Sequence, residues 1–151
     1  MKTILLYAFA ILAISFPAMA DEMKKGSMPP LEDKSAATLA VFYADWCGKC
    51  KVLEPKMMEA MAALSEDDKT SLKIVKFDFS DEKTKAESAT LAAKNGLTDV
   101  FQYYAPKTGF AVLYKDGVDL AKQEKLMADD TAEDLQEKME VYIHDQTKAK
   151  G

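Results

Sequence analysis

Cys47 and Cys50, in the stretch ADWCGKCK, are the only cysteines in a chain of 151 residues. Two thiols three positions apart can form a structural disulfide, supply half of a soft-metal site, or cycle between dithiol and disulfide. The first closes a loop of a single helical turn, which removes little entropy from the unfolded chain. The second needs three or four ligands for most metals, although two thiolates suit copper(I) and Met23 and Met28 stand upstream. The third needs an attacking thiolate and a resolving thiol. A cysteine at the start of a helix meets free backbone N–H groups and the positive end of the helix dipole. Such surroundings take a thiol pKa from about 8.5 into the range ~3.5–7.5. Lys49, between the two, adds a positive charge. Cys47 therefore reads as the nucleophile and Cys50, one turn further in, as the shielded resolving thiol.

The elements that must hold this pair follow from the apolar pattern. Residues 39–43, LAVFY, form a continuous apolar run suited to a strand covered on both faces. A helix is expected over 47–64, with Leu53, Met57, Met61 and Leu64 on one face. Its methionines read as core filling rather than ligands, and Pro55 should kink it. Residues 72–79, LKIVKFDF, make a second strand, and Ser80 or Asp81 caps a helix that Asn95 and Gly96 close after Lys94. The connection LTDVFQYYAPKT has room for a helical turn near 100–104. Residues 109–114 read as a third strand, with KDG at 115–117 as a hairpin turn into a fourth over 118–126. Asp130, with Glu133 three residues on, reads as the cap of a last helix whose buried stripe is Leu135, Met139, Tyr142 and Ile143. The first two strands should be parallel through a right-handed crossover and the last two antiparallel. The expected fold is an α/β three-layer sandwich, a central mixed sheet of about four strands flanked by helices.

The termini carry a different signal. Behind Lys2, residues 4–16 are almost wholly apolar, and Ala18 and Ala20 occupy the small positions that a signal peptidase needs. A signal peptide over 1–20 is expected, with export to a periplasm. The alternative is an uncleaved anchor, but the apolar stretch is short of the ~20 residues of a spanning helix. The end KAKG is not an ER-retention signal. A polar leader over 21–37, a domain over 38–146 and a polar tail over 147–151 complete the division. Removing 1–20 takes one lysine with it and leaves 131 residues, 19 lysines and 25 acidic residues, a net charge of −6. Arginine is absent, so no nucleic-acid partner is expected. His144 is the only histidine, which leaves little for a Ser-His-Asp triad or a histidine-rich metal site.

The stretch FYADWCGKCKVLEP resembles the active-site segment of the thioredoxin superfamily: an apolar strand, an aromatic, Ala, an acid, Trp, Cys-Gly-X-Cys-Lys, and a proline five residues past the second cysteine. VLYKDG is similar to the family's fourth strand and turn, so the resemblance covers roughly 38–144. YADWC and the acid four positions beyond Cys50 are most similar to the C-terminal domain of the thiol:disulfide interchange protein. The resemblance implies a thioredoxin-like fold that exchanges disulfides with protein dithiols, with no cofactor and no bound metal. It implies Cys47 as exposed nucleophile, Cys50 as resolving thiol, Gly48 and Lys49 as the intervening pair and Trp46 as a wall of the substrate surface. A membrane electron donor and no stable membrane insertion after signal cleavage belong to the same expectation.

Three departures qualify it. Val41 stands where the family has a buried acid. Glu54, with Lys76 at the position of the family's partner lysine, is the candidate replacement, and an ordinary exposed pair is the alternative. Thr108 and Gly109 occupy the substrate-facing loop where the family has a cis-proline, with Pro106 three residues too early. The region between Lys76 and Gly109 is longer than the family's, and its aromatics Phe101, Tyr103 and Tyr104 either flank the cysteines or pack in the core. Lys49 favours the thiolate and so an oxidising potential, whereas YADWC and Glu54 point to a reductant. The reading favours reductase or interchange activity over oxidase activity. A thioredoxin-fold copper-binding or adaptor protein without turnover is the alternative.

Overall fold

β1 (Ala37–Tyr43) is apolar at nearly every position because both of its faces are covered. Leu39 and Val41 enter one core with Leu53, Met57, Leu135, Met139 and Ile143. Ala40 and Phe42 enter a second with Val75, Phe77, Ala92, Val100, Tyr104, Phe110 and Val112. The computed structural model describes residues 37–115 and 119–148. The remaining elements are α1 (Gly48–Ala63), α2 (Glu66–Ser71), β2 (Leu72–Asp78), α3 (Glu82–Lys94), α4 (Thr98–Tyr104), β3 (Phe110–Tyr114), β4 (Glu124–Met127) and α5 (Ala132–Lys148). The expected signal peptide and nearly all of the leader lie outside the described residues, as do 116–118 and 149–151.

The sheet order is β2-β1-β3-β4. β1 and β2 are parallel, and β1–β3 and β3–β4 are antiparallel. With α1 and α5 on one face and α3 and α4 on the other, this is the expected three-layer α/β sandwich with a four-stranded mixed sheet. Among the described residues no helix is long and apolar enough to cross a membrane.

Four local features differ from expectation, each for a local reason. α2 went unread because EDDKTS has no apolar periodicity. It is held by Ser65, whose Oγ accepts from the Asp68 N–H at 3.1 Å, and by three acidic residues in its first turn. Asp68 also meets His144 Nε2 at 3.0 Å, tying α2 to α5. The helical turn near 100–104 is a seven-residue helix. The expected KDG turn falls mostly on residues 116–117, outside the described residues, and β4 begins at Glu124 rather than 118. A 3-10 turn at Leu120–Lys122 precedes it, capped by Asp119, and the Gln123 side chain both accepts from Lys115 N–H and donates to Lys115 C=O, replacing a ladder step. Finally, α5 is capped by Thr131 and Asp134 rather than by Asp130 and Glu133. Thr131 Oγ1 accepts from Asp134 N–H at 3.1 Å, and Asp134 Oδ2 accepts from Thr131 N–H at 2.9 Å. Asp130 instead accepts from Met127 N–H and pairs with Lys138 at 3.0 Å.

Candidate functional site

β1 ends at Tyr43, and the chain turns at once into α1. The Cys47 N–H donates to Ala44 C=O at 3.1 Å, and Cys47 takes an extended conformation that makes it the N-cap of α1. Helix N-caps usually offer an oxygen to the free N–H groups of the first turn. Here the acceptor is sulfur: Cys50 N–H donates to Cys47 Sγ at 3.2 Å. The contact that caps the helix is therefore also one that favours the thiolate. The corner is pinned on the β2 side by Phe79 N–H to Tyr43 C=O at 2.8 Å and Asp45 N–H to Ser80 Oγ at 2.9 Å.

Both thiols are free and buried, Cys47 at 8 % and Cys50 at 3 % exposure. For Cys47, burial alone pushes the pKa up. Hydrogen bonds from the Cys50 thiol, the Thr108 side chain and the Cys50 and Lys49 backbone outweigh it and hold Cys47 below the ordinary thiol value of 9.0. Cys50 moves the other way. Burial is the main cause, reinforced by its hydrogen bond and charge repulsion with Cys47, against smaller opposing bonds from the Ala44 and Gly109 backbone. Lys49 enters among these contributions through its N–H rather than its ammonium.

The loop before β3 closes the other side. Its cis peptide bond is at Ala105–Pro106, three residues ahead of the position facing the cysteines. Gly109 faces them instead. Its φ is +91°, and a Cβ there would stand 3.3 Å from Cys47 Sγ and 2.8 Å from Lys49 Cβ. Only glycine satisfies both the backbone angle and the space. The Gly109 N–H donates to Phe42 C=O at 2.9 Å, and Cys50 Sγ lies 3.8 Å from the same carbonyl. Thr108 and Gly109 are thus brought to the cysteines.

Val41 and Lys76 are register partners across β1 and β2, so both face α1. Lys76 Nζ reaches Glu54 Oε1 at 3.0 Å and lies 3.7 Å from the centroid of the Tyr43 ring. Both side chains are almost half exposed, so the pair adds no more than about 1 kcal/mol to stability. It borders a cavity of about 160 Å³ whose walls include Val41, Tyr43, Cys50, Met57, Met61 and Ile74. The cavity joins Cys50 to the Glu54–Lys76 pair. Tyr43 and the Phe42 carbonyl were not singled out from sequence, because one depends on strand register and the other on a backbone atom.

The aromatics of the 97–107 region divide. Tyr104 packs edge-on against Phe42 at 5.4 Å, and Phe101 stacks on Phe79 at 5.4 Å, while Tyr103 is half exposed. Trp46 is 64 % exposed beside Cys47, and Gly48 and Lys49 are exposed. Met23 and Met28 lie outside the described residues.

The thioredoxin family model matches residues 28–94. The protein disulfide-isomerase of Humicola insolens is 29% identical over 115 residues, which is 70% of this chain and 22% of that protein, so the chain spans about a fifth of its relative's length. Among solved structures, Trxlp from Edwardsiella tarda EIB202 is similar over 71% of this chain and 85% of its own, at 18% identity and a TM-score of 0.44. The family match takes in β1, the corner, both cysteines and the helices and strand that follow, so the chain is similar to the thioredoxin family over the segment that builds the site.

Proposed function

We propose that the protein is an exported thiol–disulfide oxidoreductase acting on protein disulfides, as a reductase or interchange partner. The observation that carries the activity is the opposed placement of two neighbouring thiols. Cys47 Sγ caps α1 by accepting from Cys50 N–H, while Cys50 Sγ turns inward to the Phe42 carbonyl. This favours the thiolate at Cys47 and the thiol at Cys50. Reduced Cys47 attacks a substrate disulfide as thiolate, forming a mixed disulfide and expelling one substrate thiolate, which takes up a proton. Cys50 then loses its proton and attacks Cys47 Sγ. This forms the Cys47–Cys50 disulfide, releases the second substrate thiol and leaves the substrate reduced by two electrons. Gly109 borders the sulfur, and with Thr108 and the exposed Trp46 next to Cys47 in the chain it would hold the substrate chain. Export rests on the apolar run and small residues of 1–20, and the reductase direction on the YADWC resemblance and Glu54. A reductant outside the cytoplasm needs a membrane electron donor.

The deciding measurement is the Cys47–Cys50 reduction potential together with insulin reduction. A value near that of thioredoxin, about −270 mV, supports the reductase reading, and one near the strong oxidant at about −120 mV overturns it. Tight copper(I) binding with no disulfide exchange would establish the binding-protein alternative, since two thiolates suit that ion.

The cavity gives Glu54 a role to test. Cys50 must lose a proton when it resolves the mixed disulfide, and its pKa is raised. Glu54, one helical turn from Cys50 and lining the same cavity, would accept that proton through water. Glu54→Gln is expected to slow resolution by about tenfold or more and to shift its pH profile upward, with first attack by Cys47 unchanged. Stopped-flow measurement of the two phases checks this, and an unchanged profile would sink the proposal.

A further inference from the structure

The side of Cys47 toward β3 carries two positive charges that the fold does not spend. Lys49 lies with its stem across Gly109: a Cβ at 109 would be 2.8 Å from Lys49 Cβ and 3.5 Å from its Cδ. Gly109 in turn abuts Cys47 Sγ. The lysine is therefore fixed at its base beside the sulfur while the residue remains exposed. Lys107 is also exposed, two positions before Gly109 on the loop that abuts the sulfur. Neither ammonium enters an ion pair with the described residues, unlike Lys69, Lys76, Lys83, Lys85 and Lys138.

The opposite side carries the other sign. Asp45 is joined through its N–H to Ser80, just past β2, and Asp78 and Asp81 flank that serine. Because β2 and β3 lie on opposite sides of β1, the sulfur sits between an acidic rim and a basic one. In a chain of net charge −5, lysines placed beside this loop favour an approaching anion and oppose an approaching cation.

We propose that Lys49, assisted by Lys107, is a specificity-determining residue that selects substrate disulfides flanked by acidic side chains. This rests on the oxidoreductase reading and adds the substrate class to it. A substrate chain laid along the Thr108–Gly109 loop brings the residues next to its cysteine past the Lys49 stem. An Asp or Glu there meets the ammonium at the moment Cys47 attacks, and a Lys or Arg there is repelled.

The test uses three short cystine-containing peptides that differ only in the residues beside cysteine: Asp, Asn or Lys. Second-order rate constants for oxidation of the reduced full-length protein are measured for wild type, Lys49→Gln and Lys49→Glu, at low and high salt. Wild type is expected to react about fivefold faster with the Asp peptide than with the Asn peptide, and about fivefold slower with the Lys peptide. High salt should shrink both ratios. Lys49→Gln should flatten the ranking and Lys49→Glu invert it. Dividing each rate by that of the Asn peptide removes any change in Cys47 reactivity. Wild-type rates that ignore peptide charge, or Lys49 variants that slow all three peptides alike, overturn the assignment while leaving the oxidoreductase reading in place. A wild-type protein that reacts with none of the peptides overturns that reading and this one with it.

Discussion

Serine at position 47 is expected to abolish disulfide exchange, whereas serine at position 50 should leave one round of attack that halts at a mixed disulfide. The asymmetry comes from the geometry. Cys47 Sγ faces the Thr108–Gly109 loop and the exposed corner, and hydrogen bonds favour its thiolate. Cys50 Sγ is directed inward toward the Phe42 carbonyl. A hydroxyl at 47 keeps the helix cap, since serine is a good N-cap, but is not ionised near neutrality, so turnover should fall by at least about a thousandfold. Insulin reduction reads the first variant, and mass spectrometry of covalent adducts reads the second. Adducts forming on Cys50 in the Cys47→Ser variant at the rate seen for Cys47 would reverse the assignment.

The same geometry sets the pH dependence. Alkylation of reduced protein should modify Cys47 first, with a midpoint below the ordinary 9.0, and Cys50 only at higher pH. Because the folded Cys47 pKa is depressed, its stabilisation of the reduced fold is present above 9.0 and is lost as pH falls through the folded value. Cys50, with a raised pKa, contributes stability below 9.0 that is lost as pH rises through its own folded value.

Gly109→Pro, which puts beside the cysteines the residue type found there in the family this chain resembles, is expected to destabilise the protein by about 3 kcal/mol or more. Proline fixes φ near −65°, and Gly109 stands at +91°. Proline also has no N–H to give the buried Phe42 carbonyl, which takes the Gly109 N–H at 2.9 Å. Gly109→Ala keeps that N–H but meets both the positive φ and the 2.8 Å approach of Lys49 Cβ, so it should lie between wild type and Gly109→Pro. Chemical denaturation of the three proteins checks the order. A proline variant as stable as wild type would show that the loop adopts another path around the sulfur.

The sequence alone determined those features whose physics is local or periodic. A continuous apolar run at 39–43 suits a strand covered on both faces, which β1 is, and α1 shows its core stripe through Leu53 and Met57, both buried. The last helix does so through Leu135, Met139 and Ile143. Two cysteines three apart at a strand-to-helix corner already implied an acidic and a shielded thiol, because the free N–H groups of a helix start are present wherever a helix begins.

Tertiary structure decided whatever depends on atoms distant in sequence or on competition between similar groups. Asp130 and Thr131 are both good caps, and only the claim of Lys138 and the Met127 N–H on Asp130 left Thr131 at the helix start. The fourth strand was shortened because the Gln123 side chain took over a ladder step. Glu54 and Lys76, 22 residues apart, meet because strand register turns Lys76 toward α1 beside Val41. The place of Gly109 against Cys47 follows from β3 lying next to β1, a long-range pairing that no local pattern encodes.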